Sequence, residues 1–369
     1  MRKNFVNFIK SLRKKFRSIN NVLKYYIKYK KTKPIIIFML DESGIVFLKR
    51  LITRFEDENE KLIIIVGMEI SEGLEVCSPS MYVDTGHMKY LKGECIISQN
   101  TGINKLVLSG FRYRVHTFHS PISMMRIYPE GAFDAFNVFV ASGKHHVEEI
   151  KEIEKRNGIK IKTIKGGYLR IEDIYNHSLK YERKNKKKTI IIAPSWGREN
   201  IVNTVGKDLI GKLLKENFNI IFRPHPGNLI YNKVFIDEIL DEYLLSEGFK
   251  IDSWKSMDYL CESDVLIGDW SGISYEFASA LNRPVIFINT DTKYFSNHKT
   301  NRVFEEKYRE EFGAVVEKDQ IDLVPDIAKK MINDKLEYEK KIKENKVKHF
   351  YNVPNCSHII KDEIVKLVK

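Results

Sequence analysis

The sequence predicts an α/β protein: two doubly wound, parallel-sheet domains facing each other across a cleft, preceded by a basic amphipathic helix. Three observations carry this expectation. Continuous apolar runs alternate with helix-patterned stretches, the mark of a parallel sheet covered on both faces. The alternation occurs twice, on either side of a polar, lysine-rich stretch. The chain has 369 residues, 43% of them hydrophobic, which is long for one core and apolar enough for two.

The first element is an arm, residues 1–32, reading "MRKNFVNFIKSLRKKFRSINNVLKYYIKYKKT". Phe5, Ile9, Leu12, Phe16, Ile19, Leu23 and Ile27 recur every three or four residues and so share one helical stripe. Lys10, Arg13, Lys14, Arg17, Lys24 and Lys28 fill the other faces. The arm holds eleven Lys or Arg and no acidic residue, which leaves 51 basic against 49 acidic residues in the body. The net charge of +13 therefore belongs to the arm. A basic amphipathic helix with aromatics on its apolar side suits an anionic membrane surface. Packing of the helix on the body is the plainer reading. Nucleic acid is not an expected partner, because a nearly neutral body lacks the basic face that such binding uses.

The first domain, 33–178, opens on the buried strand "PIIIFML". The helix pattern "SGIVFLKRLITRFEDENE" and the strand "KLIIIVG" follow. Later apolar runs are "ECIIS", "YRVHTF" and "NVFVAS", each followed by polar or turn residues. The stretch "NHSLKYERKNKKKT", Asn176 to Thr189, reads as a linker. The second domain, 189–369, repeats the alternation: "TIIIAPSW", a helix around Gly206–Asn217, "FNIIFRPHP", a helix around Lys233–Glu247, "DVLIGD", a helix, and "PVIFIN". From Asp322 onward the pattern is mostly helical.

Four cysteines, Cys77, Cys95, Cys261 and Cys356, form no Cys-x-x-Cys pair. The N-terminus has neither the apolar core nor the cleavage site of a secretory signal. Free thiols in a reducing cytosol are expected, with no zinc site. The longest apolar run, Pro34 to Leu40, is too short to span a bilayer.

Ligands of doubly wound sheets bind beyond the carboxyl ends of the strands, so the strand ends are the place to look. "IIAPSWGREN" puts Ser195, Trp196 and Arg198 just past one strand, and "IIFRPHPGN" puts Arg223 and His225 past the next. In "DVLIGDWSGISYEFASALN", Asp269, Ser271, Gly272 and Ser274 surround a helix start. Small and hydroxylic residues there leave backbone N–H groups and the helix dipole for an anion. A guanidinium, an imidazole and a helix N-terminus on consecutive strand ends suit a diphosphate, and the prolines flanking His225 fix its backbone. Taken singly, Ser271 or Asp269 reads as an N-cap, Arg223 as the partner of a structural carboxylate, and His225 as a turn histidine. Their convergence is what favours a site.

These motifs resemble a known family. "FRPHPGN", followed about forty residues later by "SDVLIGDWSGISYEFA", is similar to the CDP-glycerol glycerophosphotransferases of teichoic-acid and capsule assembly, which are GT-B-like enzymes with Rossmann-like domains. The resemblance runs from about Phe111 to Phe277 and is most specific in its second half. "APSWGR" matches the family's Ala-Pro-Thr-aromatic-Arg element with Gly197 inserted before Arg198. "VHTFHSPISM" stands where the family has a His-Gly-Thr segment, with Ser120 and Pro121 in place of Gly-Thr. His119 aligns with the family's proposed catalytic base, and His116 is the rival. His145 and His146, farther on, read as helix-start histidines.

The resemblance implies transfer of a polyol phosphate, glycerol phosphate above all, from a CDP-linked donor to a hydroxyl of a lipid-linked or polymer glycan, with CMP leaving. It implies a peripheral enzyme on the cytoplasmic face of a bacterial membrane. The first domain would hold the acceptor and the second the nucleotide. His119 would take the proton, since a neutral histidine is suited to that task near pH 7. Arg223, His225, Ser271 and the helix start would meet the leaving phosphate. No Asp-x-Asp occurs in the chain, so neither a metal nor a cofactor is expected. Two other readings use the same residues: a GT-B glycosyltransferase taking a nucleotide sugar, and a non-catalytic membrane-bound binding protein. Donor profiling separates the first, and activity with any nucleotide donor separates the second.

Overall fold

A computed structural model of the chain describes residues 2–29, 31–32, 34–41, 44–67, 76–184, 187–197, 199–252, 254, 256–290 and 303–369. These residues divide into two units. One comprises Met1–His119, Tyr128–Leu169 and Asn355–Lys369; the other comprises Ser120–Ile127 and Arg170–Pro354.

The first unit is built on seven parallel strands: β1 (Ile35–Met39), β2 (Leu62–Val66), β3 (Ser80–Tyr82), β4 (Gly93–Ser98), β5 (Phe111–Thr117), β6 (Val138–Val140) and β7 (Lys162–Ile164). Their order is β3-β2-β1-β4-β5-β6-β7. The two wholly apolar runs, β1 and β2, are buried at every position, as expected for strands covered on both faces. The helix Ile45–Asp57 buries Leu48, Leu51, Ile52 and Phe55, the i, i+3, i+4, i+7 stripe of an amphipathic helix. The helix Ser357–Val368 brings Ile360, Ile364, Val365 and Leu367 into the same core.

The second unit holds β8 (Thr189–Ile192), β9 (Asn219–Phe222), β10 (Phe249–Ile251), β11 (Val265–Gly268), β12 (Val285–Asn289) and β13 (Gly313–Glu317). They are parallel, in the order β10-β9-β8-β11-β12-β13. The core joins Ile190, Ile192, Ile220, Phe222, Val265, Ile267, Ile286 and Ile288 of the sheet to helix residues such as Leu209, Leu213, Ile236 and Ile239. Strand order reverses between β8 and β11, and in the first unit between β1 and β4. Such switch points open the crevice in which open α/β sheets bind ligands.

The unit boundaries differ from those read in the sequence. The C-terminal segment packs with the first unit because its apolar face matches that of Ile45–Asp57. The stretch read as a linker begins inside a helix, Leu169–Ser178, and its following residues are tied to the second unit. The Tyr181 hydroxyl donates to Glu262 at 2.7 Å, and Arg183 donates to both oxygens of Asp264 at 2.6 and 2.7 Å. Arg183 thus serves as a tether, which composition alone cannot reveal.

The arm forms the helix Arg2–Tyr29. It docks on the first unit through Ser18, Val22 and Tyr25, all buried. The Ser18 hydroxyl accepts the Asp84 N–H at 2.8 Å, the Asn21 amide donates to the Tyr82 carbonyl at 2.8 Å, and the Tyr25 hydroxyl donates to the Lys92 carbonyl at 2.8 Å. The expected apolar stripe faces outward instead: Phe16 is 71%, Leu23 57% and Ile27 87% exposed.

Candidate functional site

In the second unit the loops after β8, β9 and β11 converge. Asp269 ties two of them together. Its carboxylate accepts backbone N–H bonds from Ser195 (2.7 Å), Trp270 (2.7 Å) and Ile201 (3.1 Å), and it is 1% exposed. The β8 loop is held further by two buried asparagines. Asn228 donates to the Ser195 carbonyl at 2.9 Å, and Asn200 donates to the Gly197 carbonyl at 2.8 Å and to Asn228 Oδ1 at 3.2 Å. Gly197, the inserted residue of "APSWGR", has φ +118°, a conformation that glycine tolerates and other residues resist. Arg198 lies outside the described residues.

Past β9, His225 accepts the Gly227 N–H on Nδ1 at 3.0 Å. In the neutral ring this leaves the proton on Nε2. Trp196 stacks on His225 (ring centroids 6.1 Å, 24°) and on Tyr231 (5.9 Å, 29°). Trp254 meets His225 edge-on at 5.8 Å and donates its indole N–H to the Pro224 carbonyl at 2.5 Å. The two prolines and this clamp fix the imidazole. The result is a half-exposed aromatic platform beside an imidazole donor.

Arg223 sits underneath. It is 1% exposed, its Nη1 lies 3.0 Å from Asp252 Oδ2, and its guanidinium covers the Trp254 ring at 4.5 Å. Burial lowers its pKa, while Asp252 and Glu276 oppose that shift and Arg170 adds to it. Arg223 thus takes the structural-carboxylate role that sequence reasoning held beside the ligand role.

Past β11, the helix Ile273–Leu281 begins after Gly272. Its first intrahelical bonds run from Ser274, Tyr275 and Glu276 to the carbonyls of Ser271 and Gly272. The N–H groups of Ser271, Gly272 and Ile273 carry no hydrogen bond among the described residues. Three such groups at a helix start form an anion site. The hydroxyls of Ser195 and Ser271, both half-buried, are likewise unengaged among the described residues. Ser274 is fully buried and packs below, where a Cβ on Gly268 would lie 2.5 Å from its Oγ. Gly272 is hemmed in by the "HSP" segment: a Cβ there would lie 2.4 Å from Ser120 Oγ and 3.0 Å from Pro121 Cδ.

In the first unit His119 follows β5, next to the β1/β4 switch point. Its Nδ1 lies 3.3 Å from the Gln99 carbonyl, which can only accept, so the neutral ring carries its proton on Nδ1. The Tyr128 hydroxyl lies 2.6 Å from Nε2 and 3.3 Å from Nδ1 of the same ring. Burial lowers the His119 pKa, opposed by the Gln99 carbonyl. The ring therefore stays neutral near pH 7, with its basic lone pair on Nε2. The rival, His116, is fully buried and ringed by Phe118, Phe133, Phe136 and Phe139. His146 accepts from the Ser142 N–H at 3.2 Å on Nδ1 and lies 2.9 Å from the Ser142 hydroxyl, a bond at the start of its own helix. Among the described residues no cluster of three or more His, Cys, Asp or Glu could hold a metal ion.

The structure thus brings Ser195, Trp196, His225, Ser271 and Gly272 to one sheet edge, and puts Arg223, Asp269 and Ser274 beneath it. Sequence reasoning missed Asn200, Asn228, Tyr128, Asp252 and Trp254. Asn228 lies inside the quoted "PHPGN", so a buried asparagine at a helix start was there to be noticed. Tyr128 follows no periodic pattern.

No curated protein matches the sequence. Among solved structures, the wall teichoic acid polymerase TagF aligns at 18% identity and a TM-score of 0.61, covering 98% of each chain. The UDP-GlcNAc 2-epimerase of Methanocaldococcus jannaschii aligns at 15% identity and a TM-score of 0.54, covering 90% of this chain and 98% of that one. The enzyme of the same name from Neisseria meningitidis aligns at 13% identity and 0.57, covering 90% and 100%. At these identities the likeness establishes the GT-B-like fold. The sequence itself matches the family described as CDP-glycerol:poly(glycerophosphate) glycerophosphotransferase over residues 132–365, and with that span covering more than half its length the chain belongs to this family of CDP-glycerol-using transferases.

Proposed function

We propose that the chain moves glycerol phosphate from CDP-glycerol to a hydroxyl of a lipid-linked or polymeric glycerophosphate acceptor, at the cytoplasmic face of a bacterial membrane. The first unit takes the acceptor and the second the nucleotide. His119 removes the proton as the acceptor oxygen attacks the glycerol-bearing phosphorus. The bond from that phosphorus to the bridging oxygen breaks, and CMP leaves with the added charge. The three unengaged N–H groups of Ser271, Gly272 and Ile273, with the hydroxyls of Ser195 and Ser271 and the His225 imidazole, would stabilise that charge as it develops. Trp196 offers a face to the donor.

The one observation that most supports this assignment is the set of unengaged N–H groups at the start of Ile273–Leu281, at the β8/β11 switch point. The outward apolar stripe of the arm supports the membrane partner. Among the described residues no helix is long and apolar enough to cross a bilayer.

The test is a thermal-shift and calorimetric panel of CDP-glycerol, CDP-ribitol, CMP, UDP and UDP-sugars. Cytidine ligands are expected to stabilise the protein. Ser271→Ala is expected to weaken CMP by roughly tenfold, the loss of about 1.5 kcal/mol from a bond to a charged group. A uridine preference would move the assignment to sugar transfer, and unchanged CMP affinity in Ser271→Ala would displace the site.

A further inference from the structure

The start of the helix Ile273–Leu281 has a neighbour from far away in the chain. Ser120 opens the segment Ser120–Ile127, which belongs to the second unit. Its Oγ lies 2.4 Å from where a Cβ on Gly272 would stand, and Pro121 Cδ lies 3.0 Å from the same point. Gly272 has helical dihedrals (φ −61°, ψ −27°). A Cα–Cβ bond in that conformation tilts toward the helix N-terminus, the side on which the unengaged N–H groups of Ser271, Gly272 and Ile273 meet a ligand. The Ser120 hydroxyl therefore borders the candidate anion site. It makes no hydrogen bond among the described residues, and Ser120 is half-buried. Ser274 Oγ, below it, is both unpartnered and sealed from solvent; Ser120 Oγ is unpartnered but not sealed.

We propose that Ser120 is a donor-binding residue: its O–H donates to a non-bridging oxygen of the glycerol-bearing phosphate of CDP-glycerol. This rests on the transfer reaction proposed above, with His119 as its base. A general base must lie within hydrogen-bond reach of the attacking hydroxyl, so the attacked phosphate is the one beside His119, and Ser120 is the next residue in the chain. A serine hydroxyl carries one donor, and here it is not spent inside the protein. The sequence departs from the family at this very place. Where the family has Gly-Thr after the histidine, this chain has Ser120-Pro121. The hydroxyl has moved one residue toward His119, and proline has removed the following N–H.

The segment is anchored so as to hold that hydroxyl in place. A residue before proline is confined to extended conformations, and Pro121 is itself buried. Two residues farther on, the Ser123 N–H donates to Glu305 Oε2 at 3.1 Å, and both residues are buried. The plainer role for Ser120 is that of a small side chain filling the space which Gly272 leaves. The two roles respond to different things. Ser120→Ala keeps the Cβ and removes no hydrogen bond within the protein. A disturbance of packing would change the affinity of every nucleotide by one common factor. Loss of a bond to one phosphate weakens only the ligands that carry that phosphate.

The experiment titrates cytidine, CMP, CDP and CDP-glycerol by calorimetry into the full chain as wild type, Ser120→Ala and Ser271→Ala. Melting temperature confirms that each variant is folded. The second phosphate of CDP stands in for the glycerol-bearing one. Ser120→Ala should bind cytidine and CMP as the wild type does, and should bind CDP and CDP-glycerol about tenfold more weakly, as one hydrogen bond to a charged group is lost. Ser271→Ala should weaken CMP already. Equal CDP affinity in Ser120→Ala and wild type, or the same factor of loss for CMP and CDP, would overturn the role of Ser120, while the Ser271→Ala result would still uphold the nucleotide site. A wild type that binds neither CDP nor CDP-glycerol would overturn both.

Discussion

At Asp269 a carboxylate in the candidate nucleotide site spends its acceptors on the protein's own backbone. At Arg223, two strands away across β8, a guanidinium on the "RPHP" motif is sealed beneath the loop that carries His225. The two explain why a motif is read more surely than its roles. Both residues shape the site without facing it, because a buried charge needs a partner and Asp252 supplies one. The consequence can be measured. Arg223→Ala leaves Asp252 buried alone, in a place where burial already raises its pKa against the pull of Arg223. Breaking one side of such a pair costs on the order of 3–5 kcal/mol, so a fall in melting temperature of several degrees is expected. The companion variant Arg223→Met with Asp252→Asn should recover much of that loss. Equal stability of Arg223→Ala and wild type in a denaturant titration would show that the pair carries no such strain.

At the scale of elements, the arm shows what an amphipathic pattern can and cannot reveal. Its period named the helix correctly, and Leu12, Phe16, Ile19, Leu23 and Ile27 do share one face. Periodicity does not say which face docks. Here Ser18, Asn21, Val22 and Tyr25 dock, through hydrogen bonds and one buried valine. The strands were legible for a simpler reason: "PIIIFM" and "LIIIV" are apolar throughout and read as strands buried on both faces. Short edge strands such as Lys162–Ile164 carried little signal of their own. Site residues that come from loops, Asn200 and Tyr128 above all, were illegible because their partners lie far away in sequence or off any helical or strand period. The split faces of the arm make a sharp prediction. Phe16→Glu and Ile27→Glu should each leave the unfolding free energy within about 0.5 kcal/mol of wild type, as exposed substitutions usually do, yet together release the protein from anionic liposomes. Val22→Asp should instead destabilise the fold. Liposome flotation of the double variant at wild-type levels would exclude the stripe as the membrane contact.

On the scale of the whole molecule, the chain is not partitioned as its sequence alternation suggests. The last fifteen residues, Asn355–Lys369, follow the second sheet in sequence but belong to the first unit. Their helix inserts Ile360, Ile364, Val365 and Leu367 into the core around β1 and the helix Ile45–Asp57. Each such side chain contributes about 1.5–3 kcal/mol when fully buried, and a domain's net stability is about 5–15 kcal/mol. Removing residues 355–369 should therefore unfold the first unit at ordinary temperature and leave the second unit folded. The second unit loses no core residue by that cut, and its candidate nucleotide site, from Ser195 to Ser271, is intact. The expected outcome is a truncated protein that still binds CMP in calorimetry, shows no transfer, and gives fast amide hydrogen exchange across β1, β2 and β4 with protected β8, β11 and β12. Native-like protection in β1 and β4 of the truncated chain would mean that the first sheet stands without its C-terminal helix, and the buried face of that helix would then need another explanation.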